Sequence, residues 1–87
     1  MSDREVTVRG LDDGEHFSLG GDVGLVDAVM KTGKRIDALT AEVVLTGEEL
    51  VAFVRKNCLS TFARRYVEMV QETVKPHNRY EVTAFDW

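Results

Sequence analysis

Residues 46–74, TGEELVAFVRKNCLSTFARRYVEMVQETV, carry the clearest helical pattern in the chain and decide its fold. Thr46 and Glu49 are spaced for a capping box, in which each side chain accepts a hydrogen bond from the backbone N–H of the other residue. Apolar residues then recur at helical spacing as far as Val74, and Pro76 ends the pattern. The sequence therefore predicts helical structure from about Gly47 to Val74.

The apolar face of this region changes direction near its middle. A first apolar group follows the cap, and a second group lies more than about 100° away around the helix axis when each residue advances by about 100°. The first group is Leu50, Phe53, Val54 and Cys58; the second is Leu59, Phe62, Tyr66, Met69 and Val70. One straight helix cannot bury both groups against one surface.

We therefore expect a kink or a break at residues 57–60, with Asn57 or Ser60 capping a second helix. Two helices, at about residues 47–57 and 60–74, are favoured. The alternative is one continuous helix whose second half packs against a partner.

Strand patterns lie on both sides of this helical region. Alternating apolar and polar residues around an Asp-Gly turn predict a β-hairpin over residues 4–19. The same alternation predicts a strand from Leu39 to Leu45, with Ile36 near its start. A final strand is predicted from Tyr80 to Ala84.

A further helix is predicted between the hairpin and the next strand. Asp22 is a good N-cap residue, and Gly33 stands where a helix would end. Because three β-branched valines and Gly24 lie between them, a strand is the alternative here.

The predicted order β-β-α-β-α-α-β indicates an α+β fold. We expect a small antiparallel sheet of about four strands with helices packed on one face. The chain has 87 residues, and chains usually divide only above about 150 residues, so residues 1–87 are predicted to form a single domain.

Composition narrows the possible functions. The net charge is −4, whereas nonspecific nucleic-acid binding needs an excess of basic residues. Cys58 is the only cysteine, which excludes an intrachain disulfide and a cysteine-based zinc site within one chain. The N-terminus is charged where a signal peptide needs an apolar run, so no signal peptide is predicted. No stretch approaches the length of about 18 apolar residues that a membrane span needs, so no contact with a membrane is predicted. We expect a cytoplasmic protein with no cofactor and no bound metal.

No catalytic residues are predicted. A nucleophile such as Cys58 requires a nearby base, and His16 and His77 are the only histidines. Nothing in the sequence places either histidine beside Cys58, so a small enzyme is the third hypothesis.

Two groups of residues are candidates for partner binding. Four cations lie along the helical region, and two large aromatic residues end the chain on the face opposite Tyr80. These candidates are Arg55, Lys56, Arg64, Arg65, Phe85 and Trp87. Aromatic residues and arginine contribute most of the binding energy at many protein interfaces.

The leading hypothesis is a non-catalytic protein-binding module. It is expected to act as a small regulator or inhibitor, of the kind found in viruses and mobile elements, with another protein or a second copy of itself as the partner. The alternative is a nucleic-acid-binding protein that uses the surface from Arg55 to Arg65.

Overall fold

The computed structural model describes residues 4–86 and folds them into five strands and three helices. In chain order these are β1 (Arg4–Gly10), β2 (His16–Gly20), α1 (Val23–Thr32), β3 (Lys34–Asp37), β4 (Thr40–Thr46), α2 (Gly47–Asn57), α3 (Ala63–Thr73) and β5 (Arg79–Asp86). The predicted α+β fold is confirmed, with five strands rather than about four.

All five strands belong to one antiparallel sheet with the order β2-β1-β5-β4-β3. The last strand in the chain, β5, occupies the centre, where Val82 lies opposite Val8 of β1 and Val43 of β4. Because β5 has a neighbour on each side and helices above it, Tyr80, Val82 and Ala84 are completely buried.

The strand that the sequence prediction missed is β3. Its four residues, Lys34–Asp37, are all exposed, and Ile36 is the only apolar one among them. No alternation of apolar and polar residues therefore marks this edge strand. Ile36 lies in β3 itself, which pairs with β4, rather than near the start of the predicted strand.

The helices pack on one face of the sheet. Helix α1 contacts β1, β4 and β5, helix α2 contacts β4 and β5, and α3 packs on α2. One core joins these elements, and its fully buried members include Val6, Leu25, Leu50, Val54 and Val82. On the other face of the sheet, Arg9 of β1 forms a salt bridge of 3.2 Å with Glu81 of β5.

The predicted starts of the first two helices are confirmed. Helix α1 begins after Asp22, whose carboxylate accepts a hydrogen bond of 3.1 Å from the Leu25 N–H, so this segment is not the alternative strand. Helix α2 begins with the complete capping box: Thr46 Oγ1 accepts from the Glu49 N–H at 3.2 Å, and Glu49 Oε1 accepts from the Thr46 N–H at 2.9 Å.

The predicted hairpin of β1 and β2 is also confirmed, and its turn is fastened to the start of β5. Gly14 has a φ of 73°, a conformation that favours glycine. Next to it, Asp13 accepts a hydrogen bond of 2.8 Å from the hydroxyl of Tyr80. The same hydroxyl accepts a hydrogen bond of 2.9 Å from the Lys75 N–H. One buried side chain thus joins the hairpin turn to the segment that precedes β5.

Replacing Tyr80 with phenylalanine is expected to lower the free energy of unfolding by about 1.5 kcal/mol, because it removes both hydrogen bonds and leaves the Lys75 N–H unpaired. Chemical denaturation measures this change. The matched control is Tyr66→Phe, since no hydrogen bond of the Tyr66 hydroxyl is found within residues 4–86. Equal losses in the two variants would contradict the role of the Tyr80 hydroxyl.

Candidate functional site

The predicted break in the helical region is confirmed. Helix α2 ends at Asn57 and α3 begins at Ala63. Neither Asn57 nor Ser60 caps the first turn of α3 with its side chain as predicted. The side chain of Asn57 donates a hydrogen bond to the Phe53 carbonyl in α2. Ser60 Oγ accepts one from the N–H of Phe62, the residue just before α3. The loop between the helices is held instead from another part of the chain.

Asp22 is the residue that holds this loop. Its Oδ1 accepts from the N–H of Leu25, in α1, and from the N–H of Leu59, in the loop, at 3.1 and 3.2 Å. Its Oδ2 accepts from the Ser60 N–H at 2.8 Å and from the Cys58 thiol at 3.4 Å. One carboxylate therefore caps α1 and fixes the conformation of the α2–α3 loop.

These contacts also set the charge state of Asp22. Partial burial acts to raise the pKa of its carboxyl group, but the hydrogen bonds from the backbone N–H groups of Leu59 and Leu25 outweigh it and the pKa is lowered. The carboxylate is therefore ionised at neutral pH.

The loop and α3 leave much of the second predicted apolar group uncovered. Leu59 is 75% exposed and Phe62 is 62% exposed, and Met69 is also exposed. Only Val70 in that group is fully buried. Helix α3 uses a different side to reach the core, formed by Val67 and Val70 together with Val74 just after the helix.

The exposed side chains form a shallow cleft along α3, here called the α3 cleft. Its lining consists of Phe62, Arg65, Tyr66 and Met69, and its volume is about 400 Å³. The hydroxyl of Tyr66 reaches the end of β2, where a Cβ added to Gly20 would lie 3.6 Å from it. The α3 cleft therefore has a largely apolar lining with one arginine.

The α3 cleft overlaps an unusually basic part of the chain, which contributes Phe62 and Arg65 to its lining. Residues 55–65, here called the basic segment, contain two arginines at one end, one arginine and one lysine at the other, and no aspartate or glutamate. This gives the segment a charge of +4. The rest of the chain holds 7 of the 11 basic residues and all 15 acidic ones, a charge of −8. The basic segment and the rest of the chain therefore carry net charges of opposite sign.

The structure distributes the four predicted cations over neighbouring recesses and an exposed position along this segment. Arg55 and Arg64 line a groove of about 340 Å³ between α2 and α3, and Arg64 lies 3.6 Å from Glu68 in an exposed ion pair. Arg65 lines the α3 cleft, and Lys56 is exposed near the end of α2. Within residues 4–86, Arg55, Lys56 and Arg65 form no salt bridge.

Phe85, the described member of the predicted aromatic pair, lies elsewhere. Phe85 is half-buried and belongs to the side of β5 that faces away from the helices, between Glu5 of β1 and Thr40 of β4. Trp87 lies outside the described residues. The structure thus places Phe85 and the four cations on opposite sides of the sheet.

His77 and Cys58 are not brought together. His77 lines a groove at the start of α2, whereas Cys58 follows its last residue, so the length of the helix, about 1.5 Å per residue, separates them. Burial raises the pKa of the Cys58 thiol, and so does Asp22. The residues from 4 to 86 contain no group of three or more His, Cys, Asp or Glu side chains arranged to hold a metal ion.

The sequence singled out the basic residues of this surface. It did not indicate that the apolar residues beside them are exposed, or that Asp22 holds the adjoining loop. Phe62, Tyr66 and Met69 have helical spacing, which indicated a buried stripe. Asp22 was predicted only as a helix cap. Its contacts with the α2–α3 loop join residues 36 to 38 positions apart, and no local pattern encodes them.

Comparison with models of known protein families finds no match, and comparisons with curated proteins and with solved structures find no significant similarity. Among the described helices, none combines the length and the apolar character required to cross a membrane.

Proposed function

We propose that this chain is a non-catalytic protein-binding module that acts as a small regulator or inhibitor by covering a surface on a larger protein. The observation that carries this proposal is the exposure of Phe62 and Met69, two apolar side chains that line the α3 cleft. Contiguous exposed apolar surface rimmed by polar residues is typical of interaction sites. Aromatic side chains and arginine, both present in this cleft, are the residue types most enriched among strong interface contacts.

Burial of these side chains contributes favourable free energy to binding. Covering a phenylalanine or methionine side chain that is otherwise in water is worth about 1.5–3 kcal/mol. Leu59 and Ser60, in the loop that precedes α3, are also held in position by hydrogen bonds to Asp22. A surface that is already ordered loses less conformational entropy when a partner binds.

Replacing Phe62 and Met69 together with alanine is expected to weaken partner binding about tenfold or more, because both side chains line the α3 cleft. The chain is used as bait in an extract of its native host, the captured protein is purified, and its affinity for the wild-type and double-variant chains is measured. The matched control is Leu39→Ala, which shortens an exposed apolar side chain in the β3–β4 turn. We expect this control to bind normally.

The aromatic pair at the end of the chain is tested in the same experiment. Because Phe85 lies on the side of the sheet away from the helices, the double variant Phe85→Ala/Trp87→Ala probes a separate surface. Loss of binding in this variant alone moves the site to the sheet face. A folded chain that captures no partner, or a partner that neither double variant affects, rejects the proposed surfaces.

A further inference from the structure

We infer that the partner contributes an acidic peptide segment with at least one large apolar side chain, and that this segment binds in the α3 cleft. The inference rests on the proposed function and specifies the chemistry of the partner. Three features of the cleft carry it: its apolar lining, an arginine with no salt bridge to any residue from 4 to 86, and the charge of the overlapping basic segment.

The apolar lining requires an apolar group on the partner. Phe62, Tyr66 and Met69 form most of the cleft surface. A volume of about 400 Å³ falls in the lower part of the range of about 300–1,000 Å³ that is typical of binding pockets. A single large aliphatic or aromatic side chain of a peptide fits a recess of this kind.

The cations around the cleft require negative charge on the same partner. Arg65 lines the cleft and has no salt-bridge partner within the described part of the chain. A second recess shares Phe62 and Arg65 with the first, and its lining also includes Thr61, Arg64 and Glu68. Carboxylates placed beside an apolar anchor would pair with these guanidinium groups, which bind carboxylates in a bidentate geometry.

A polyanion is a poorer fit than an acidic peptide. The +4 charge is confined to the basic segment, and Glu68 lies at the edge of the same recess as Arg64 and Arg65. The remaining −8 charge of the chain repels a nucleic acid that runs past the cleft, since charges act over about 8 Å at physiological salt. A short acidic segment places only a few charges, all of them next to the arginines.

The test is a selection of random displayed peptides on the immobilised chain, with counter-selection on the Phe62→Ala/Met69→Ala variant. We expect the enriched peptides to contain more Asp and Glu than Lys and Arg and to share a large apolar residue. A synthetic copy of an enriched peptide is expected to bind about fivefold more weakly to Arg65→Ala, whereas Arg35→Ala, at an exposed arginine of the edge strand β3, is expected to bind normally.

Several outcomes overturn the inference. These are enriched peptides without an acidic excess, the failure to enrich any peptide that depends on the cleft, and equal binding by the wild-type and Arg65→Ala chains.

Single-stranded DNA that displaces an enriched peptide at about 0.15 M salt assigns the cleft to nucleic acid. A dimer in analytical ultracentrifugation that Phe62→Ala/Met69→Ala abolishes assigns it to a second copy. A host protein that binds the wild-type chain but not Phe62→Ala/Met69→Ala supports the proposed function. If its binding segment is not acidic, only the inference about the partner's chemistry is wrong.

Discussion

The Asp22→Ala variant is expected to lose about 3 kcal/mol of unfolding free energy, the largest effect anticipated for a single substitution outside the core. Loss of an N-cap costs about 0.5–2 kcal/mol, and each hydrogen bond to a charged acceptor is worth about 1.5–3 kcal/mol. The carboxylate accepts one such bond in α1 and three from the α2–α3 loop. Because Asp22 is only half-buried, water replaces part of this loss.

Thermal unfolding followed by circular dichroism measures the effect. In a domain of this size, each 1 kcal/mol shifts the midpoint by about 4–8 °C, so the expected decrease is roughly 15 °C. Asp22→Asn is the matched control, since asparagine also caps helices well but has only one acceptor oxygen. We expect it to lose less than the alanine variant. A decrease of only a few degrees in Asp22→Ala would contradict the role of this residue in holding the loop.

The two Asp22 variants also differ from wild type in their dependence on pH. The pKa of Asp22 in the folded protein is lowered below its ordinary value of 3.8. Its ionised form therefore adds stability above about pH 4, and this contribution is lost as the pH falls through the lower folded-state pKa. The stability difference between wild type and Asp22→Asn should narrow in acid. The pKa values of Asp12 and Asp13 are also lowered, but both residues are present in each protein.

The Gly24→Ala variant is expected to be less stable than wild type by about 2 kcal/mol, although alanine is the better helix former. In an open helix, this replacement would gain about 1 kcal/mol. Here a Cβ on Gly24 overlaps the Asn57 carbonyl oxygen and lies 2.7 Å from Leu59 Cγ. Forcing extra atoms into a packed contact costs about 1–3 kcal/mol and occasionally more. The start of α1 would have to move away from the α2–α3 loop.

Denaturant unfolding of Gly24→Ala is compared with Val23→Ala, a change at the preceding residue of the same helix. Val23 is 52% exposed, so its truncation should change stability by less than about 0.5 kcal/mol. A stabilised Gly24→Ala variant would show that helix propensity outweighs the contact with the loop. That result would also remove the reason for glycine at this position.

Features that depend on neighbouring residues could be predicted from the sequence. The capping box at Thr46 and Glu49 involves residues three positions apart, and the alternation of Tyr80, Val82 and Ala84 reflects the two sides of one strand. The break after Asn57 followed from the direction of side chains around the helix axis. Each of these inferences needs only the geometry of one element.

Features that depend on which surface covers an element could not be predicted. Helical spacing correctly grouped Phe62, Tyr66 and Met69, but exposure is decided by where α3 contacts α2, and that contact uses Val67 and Val70. The predicted start of the second helix at Ser60 was three residues too early, because the loop is fixed by distant Asp22 rather than by a local cap.

The central position of β5 has a consequence for how the chain folds. β1 pairs with residues that lie 70 to 82 positions later in the chain, from Gly10 opposite Tyr80 to Arg4 opposite Asp86, and β4 completes its hydrogen bonds only with the same strand. The two halves of the sheet therefore stay separate until β5 is inserted between them. Such distant pairing slows folding, since a long loop must close before the contacts form. Until then, the edges of β1 and β4 and the valines behind them are open to water and to other chains.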